Sequence, residues 1–106
     1  MSDLLLQFEQ ATQDALRLPK LPETSTMLTL YGLYKQAYRG DVASKRPDFT
    51  DMIGCAKWDA WRDFRGVTAD EAKRRYVKLV EELKARAILL ALAGGVSGAT
   101  SSPAQN

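Results

Sequence analysis

The 106-residue sequence predicts an all-α fold of four helices. Three observations carry that expectation. Apolar and aromatic residues recur at three- and four-residue spacing over four separate segments, prolines and glycines divide the segments, and no strand can be read between them.

The first segment runs from about Asp3 to Leu18, with Leu5, Phe8, Thr12, Ala15 and Leu16 near helical spacing. It stops at LPKLP, where Pro19 and Pro22 remove two backbone donors and disfavour helix just before each ring. The second starts between Glu23 and Thr26, carries Met27, Leu30, Tyr31, Tyr34 and Tyr38, and ends near Arg39. Gly40 can take the left-handed conformation that closes a helix. After the polar loop DVASKRPDFTD, the third begins near Asp51 and holds Ala56, Trp58, Trp61 and Phe64 before Gly66 ends it. Thr68 and Glu71 form a capping box for the fourth, which continues through Ala72, Tyr76, Val77, Val80 and Leu83. Residues 87–93 are apolar on all sides, and Gly94 and Gly95 break that pattern. The rest is rich in Gly, Ser, Ala and Thr, the composition of a flexible tail. The expected organisation is therefore one domain, 1–86, with an extension, 87–106, that is first helical and then flexible.

Phe8, Leu18, Val77, Val80 and Leu83 are the expected packing between the first and last helices, and Trp58 and Trp61 are expected as core anchors. Composition narrows the chemistry. There is no histidine, hence no Ser-His or Cys-His pair and no imidazole base, and with one cysteine a zinc site has only carboxylates to draw on. The reading is no catalytic residue, no metal and no cofactor. Cys55 is read as a small helix residue, and a lone cysteine fits a reducing compartment. A net charge of +2 is too small for a duplex-DNA binder, so no nucleic-acid partner is expected. No apolar run reaches the 18 residues of a membrane span, and MSDLLLQFEQ lacks a basic leader, so the cytoplasm is the expected location and no stable membrane insertion is expected.

One stretch asks for more than packing. YGLYKQAYRGD puts Tyr31, Tyr34, Lys35 and Tyr38 on a single helix face, where leucines would be ordinary. Lys35, Arg39, Lys45 and Arg46 give this region a local excess of positive charge, suited to a small compact anion.

LYGLYKQAYRGD, RPDF, AKWDAW and TADEAKRRYVKLVEEL, in this order and separation, resemble the acyl-CoA-binding protein family over residues 4–86. The resemblance implies an up-down-down-up four-helix bundle that binds long-chain acyl-CoA thioesters without catalysis, as a pool and carrier that can serve acyl-CoA-using enzymes. It also implies a nucleotide site at Tyr31, Tyr34, Lys35, Lys57 and Tyr76. The chemistry suits these side chains: the 3′-phosphate of CoA is a dianion that favours ammonium and phenolic donors, and adenine offers a flat face to an aromatic ring. Lys35 and Lys57 are assigned to phosphate, Tyr34 to the adenine face, and Tyr31 and Tyr76 to phenolic contacts. Met27 and Leu28, with Leu21 and Ile53, are the expected walls of an acyl groove.

Leu16, Leu21, Ile53 and Cys55 stand where the family commonly has basic residues, which predicts a weaker electrostatic contribution and a more apolar groove rim. The alternative reading is a helical module that keeps the fold but binds a protein or membrane surface. A small acyl-CoA-using enzyme and a helix-turn-helix DNA reader are weaker alternatives. The chain is expected to be a monomer. Ile88, Leu89, Leu90 and Leu92 of the extension either fray with the helix end or cover apolar surface on a second copy or over the groove.

Overall fold

The computed structural model describes residues 2–101. Four helices follow in order, α1 (Ser2–Leu16), α2 (Thr24–Arg39), α3 (Met52–Arg62) and α4 (Ala69–Ser101). No strand occurs among the described residues.

Side-chain pairs fix the helix directions. Phe8 meets Tyr76 with ring centroids 5.1 Å apart, and Asp14 meets the Lys84 ammonium at 2.9 Å, so α1 and α4 advance together. The Lys57 ammonium lies 5.2 Å from the Tyr31 ring and that of Lys35 lies 4.9 Å from the Trp61 ring, so α2 and α3 also advance together. Tyr34 pairs with Tyr76 at 6.5 Å, whereas Gln36, further along α2, donates to the carbonyl of Val67, before α4. α2 and α4 are therefore antiparallel, and the bundle is up-down-down-up. α2 is its hub, packing against both α3 and α4, while α1 packs on α4.

The core is built from Phe8 and Ala11 of α1, Leu30, Leu33 and Ala37 of α2, and Ala72, Tyr76 and Val80 of α4. Val77 and Leu83 pack against it half-buried. α3 approaches α2 closely because Gly32 has no side chain. A methyl group there would stand 2.9 Å from the Phe64 ring and collide with the Ala60 carbonyl. The ends of α2 and α3 are tied by Gln36, which is 1% exposed. Its Nε2 donates to Asp41 Oδ1 at 2.8 Å and to the Val67 carbonyl at 2.9 Å, and the Gly66 N–H donates to the same Asp41 oxygen at 2.8 Å. These two donors, Gly66 first, hold the Asp41 carboxyl below its ordinary range.

Several expectations need correction. α1 ends at Leu16, not Leu18, since the residue before Pro19 is pushed out of the helical region. Leu5 and Leu16 are exposed, and Phe8 and Ala11 form the inner face of α1. Leu18 follows the helix in the turn. Phe64 lies beyond α3, in the turns from Asp63 to Gly66. The capping box is half made: Thr68 Oγ1 accepts from the Glu71 N–H at 3.1 Å, but the Glu71 carboxylate is taken by Arg74 and Arg75. α4 continues through Gly94 and Gly95 to Ser101. Glycine costs a helix about 1 kcal/mol relative to alanine and does not forbid it. The expected flexible end at 102–106 lies outside the described residues.

Candidate functional site

Helical geometry, at about 100° per residue, places Tyr34, Met27, Tyr38, Tyr31 and Lys35 within an arc of about 100° on α2. Gln36, Leu33, Ala37 and Leu30 point the other way, into the core. This open arc lies between α3 on one flank and α1 with α4 on the other.

On the α1–α4 flank, Tyr34 and Tyr38 pack ring to ring at 4.8 Å, and Phe8 lies 6.2 Å and 5.5 Å from them. Tyr76, only 6% exposed, closes the group from α4. Burial, then the nearby Tyr34 phenol, pushes the Tyr76 hydroxyl above its ordinary pKa, so it stays a neutral hydrogen-bonding group. Above these rings is a hollow of about 610 Å³, lined by Tyr34, Tyr38, Tyr76 and, from α1, Glu9, Thr12, Gln13 and Leu16. Its floor is aromatic and one wall is polar.

On the α3 flank, the two lysines rest on aromatic faces, Lys57 over Tyr31 and Lys35 over Trp61. The start of α3 is fixed locally: Asp51 Oδ1 accepts from the Gly54 N–H at 2.9 Å, one turn before Lys57. The loop leading into α3 is tied down by Arg46, whose guanidinium makes two bonds of 2.9 Å and 2.8 Å to Asp59. Trp58 and Trp61 also hold that loop. Their indole N–H groups donate to the carbonyls of Ser44 at 3.1 Å and Gly40 at 2.8 Å. Both tryptophans are half-buried, so they are loop clamps and cation platforms where the sequence suggested core anchors. Cys55 is buried, with its thiol directed at the carbonyls of Pro47 and Asp48.

The predicted nucleotide residues thus fall into neighbouring groups: Tyr34 with Tyr76 around the hollow, and Tyr31, Lys35 and Lys57 along the α2–α3 seam. The predicted groove residues are less united. The register that sets Tyr31 beside Lys57 places Met27 opposite Ile53 one turn earlier, and both are exposed. Leu28 instead lines a separate hollow with Ala56, Ala60 and Phe64, and Leu21 lines another with Leu83 and Leu90 of α4. Sequence reasoning placed Tyr38 on this face but assigned it no contact, although its position one turn after Tyr34 carried the signal. It also missed the α1 wall, for which no local signal exists.

The family model described as Acyl CoA binding protein matches residues 6–80. Acyl-CoA-binding protein homolog 1 of Caenorhabditis elegans is 39% identical over 83 residues, which are 78% of this chain and 96% of that protein. Acyl-CoA-binding protein 2 of Saccharomyces pastorianus is 38% identical over 79 residues, 74% of this chain and 91% of the relative. The crystal structure of Oryza sativa Acyl-CoA-Binding Protein 2 superposes with a TM-score of 0.79 at 36% identity, covering 81% of this chain and 96% of that one.

Proposed function

The chain belongs to the acyl-CoA-binding protein family, and from that premise we propose that it binds, pools and transports medium- to long-chain acyl-CoA thioesters without reacting with them. The carrier works in the cytoplasm in this reading and hands its ligand to acyl-CoA-using enzymes. The observation that carries it is the placement of two lysines beside a tyrosine-floored hollow on one arc of α2. The hollow takes the nucleotide, with Tyr34 against the adenine and Tyr31 and Tyr76 offering hydroxyls. Lys35 and Lys57 take the phosphate.

The resting positions of the lysines support the reading energetically. An ammonium on an exposed ring gains about 0.5–1 kcal/mol. A hydrogen bond to a charged group contributes about 1.5–3 kcal/mol, so each lysine can leave its ring for a phosphate with a net gain. The acyl chain adds about 0.8 kcal/mol per buried methylene, roughly 8 kcal/mol for ten before ordering costs. The chain therefore sets affinity and the nucleotide sets identity. Met27 and Ile53, opposite each other beyond the lysine seam, mark the start of the acyl path.

Calorimetric titration with palmitoyl-CoA, free palmitate and free CoA tests this. Tight one-to-one binding of the thioester is expected, with much weaker binding of either half. No heat and no shift in melting temperature with palmitoyl-CoA would overturn it.

A further inference from the structure

The wall that α1 gives to the tyrosine hollow is rich in hydrogen-bond acceptors. Glu9, Thr12, Gln13 and Leu16 line it from one face of the helix, at three- and four-residue spacing. Glu9 is exposed, and among the described residues its side chain pairs with no cation and takes part in no hydrogen bond. Its main-chain carbonyl accepts the proton of Thr12 Oγ1 at 2.7 Å. The Thr12 oxygen therefore has no proton left to donate and can only accept, and a carboxylate likewise donates nothing. No lysine or arginine lines this hollow; Lys35 and Lys57 rest on Trp61 and Tyr31, on the other flank of α2.

With the hollow as the nucleotide site, the reading on which this rests, we infer that Glu9 is a specificity residue for the base. It admits a base that carries an exocyclic amine and rejects one that carries a carbonyl in that place. A phosphate is anionic and acceptor-only, so Glu9 repels it and the lysines draw it, and the ligand enters with its base toward α1. That base must then offer protons to Glu9 and Thr12. The exocyclic amine of adenine has two. The exocyclic oxygen of hypoxanthine has none, and its lone pairs would face those of the carboxylate. Hypoxanthine keeps one donor on that edge, a ring N–H, which serves one acceptor while the carbonyl faces the other. Gln13 does not decide, because its amide can turn to present either a donor or an acceptor.

The placement suits this role. Glu9 follows Phe8, whose ring lies 5.5 Å from Tyr38 and 6.2 Å from Tyr34, so the acceptor wall begins beside the aromatic floor. Tyr34 and Tyr38, 4.8 Å apart, make that floor long enough to carry a flat base. A base stacked on Tyr34 with its phosphates at the lysines turns its far edge toward α1. Base-edge hydrogen bonds discriminate by about 1–3 kcal/mol in a well-formed pair. Glu9 is open to water, which softens the penalty, so a preference near the lower end of that range is expected.

Calorimetric titration of the full chain with palmitoyl-CoA and with its deaminated, hypoxanthine-bearing analogue tests the inference. The wild type is expected to bind the adenine form roughly 10-fold more tightly. Glu9→Gln keeps the side-chain length and adds a donor, and is expected to bring the two affinities within about 3-fold at an unchanged melting temperature. The ratio cancels any loss common to both ligands, so a merely structural role of Glu9 would not move it. Equal affinities in the wild type overturn the inference and leave the carrier reading standing, whereas binding of neither thioester overturns both. A preference that Glu9→Gln leaves unchanged also overturns the inference.

Discussion

The two flanks of α2 are built differently. Toward α1 and α4 the contact is aromatic: Phe8, Tyr34, Tyr38 and Tyr76 form ring pairs with centroids 4.8–6.5 Å apart, with Phe8 fully buried and Tyr34 and Tyr38 partly open to the hollow above them. Toward α3 the outer contact consists of cations on ring faces and indole N–H groups on loop carbonyls, all partly exposed. One flank supplies stability and a fixed floor. The other holds charges in weak contacts that an anionic ligand can replace. The aromatic floor thus shares its rings with the core, whereas the ammonium groups sit on the other flank, where they can move without disturbing it.

The difference can be broken most forcefully at Phe8. Phe8→Ala removes the side chain on which both tyrosines and Tyr76 rest, and about 3–5 kcal/mol of stability should be lost in urea unfolding. On the other flank, Lys35→Ala and Lys57→Ala should separate binding from folding. Each should weaken palmitoyl-CoA binding roughly 10- to 100-fold by calorimetry, the value of a charge-assisted hydrogen bond. Their unfolding free energies should fall by no more than about 1 kcal/mol. Equal losses in both measurements would mean that the lysines are structural and the comparison is wrong. Gly32→Ala sharpens it further. The added methyl meets backbone at Ala60, so α3 must shift, at about 1–3 kcal/mol in unfolding. Ligand affinity should fall as well, because Lys57 moves with α3.

The smallest effect is electrostatic. Asp14 is held below its ordinary pKa of 3.8, first by its bond from Lys84 and then by that from Gln10. Asp41 is held low by Gly66 and Gln36. Groups depressed in the folded state stabilise it above their unfolded pKa and lose that contribution as pH falls through the folded value. The melting temperature should be level from about pH 5 to about pH 9 and decline below about pH 4, and Asp14→Asn should make that decline shallower. Asp41 is exposed and Asp14 only half-buried, so the change is expected to be modest.

Much of this was legible locally. Proline and glycine placed the helix ends within two residues at most boundaries, and spacing put Tyr31, Tyr34, Lys35 and Tyr38 on one face. What was misread concerned partners far away in the chain. Trp58 and Trp61 read as core because large aromatics usually are, yet the carbonyls that engage them lie in a loop 14 and 21 residues earlier. Leu21 and Leu28 read as one groove because both precede the tyrosine face, but the chain turns between them and α4 and α3 cover them separately.

By itself, the sequence determined the number and order of the helices, the face of α2 that carries phenols and ammonium groups, and the uncharged character of the extension. These follow from short-range rules, the helical repeat and backbone limits of proline, which need no knowledge of neighbours. Only the tertiary structure decided that α1 walls the tyrosine hollow, that each lysine has a ring to rest on, and that recesses open beside the end of α4. Those features depend on side chains brought together by burial of Phe8, Val80 and their partners. Burial is non-directional, so a local pattern announces that a residue goes inside without naming what it will meet there.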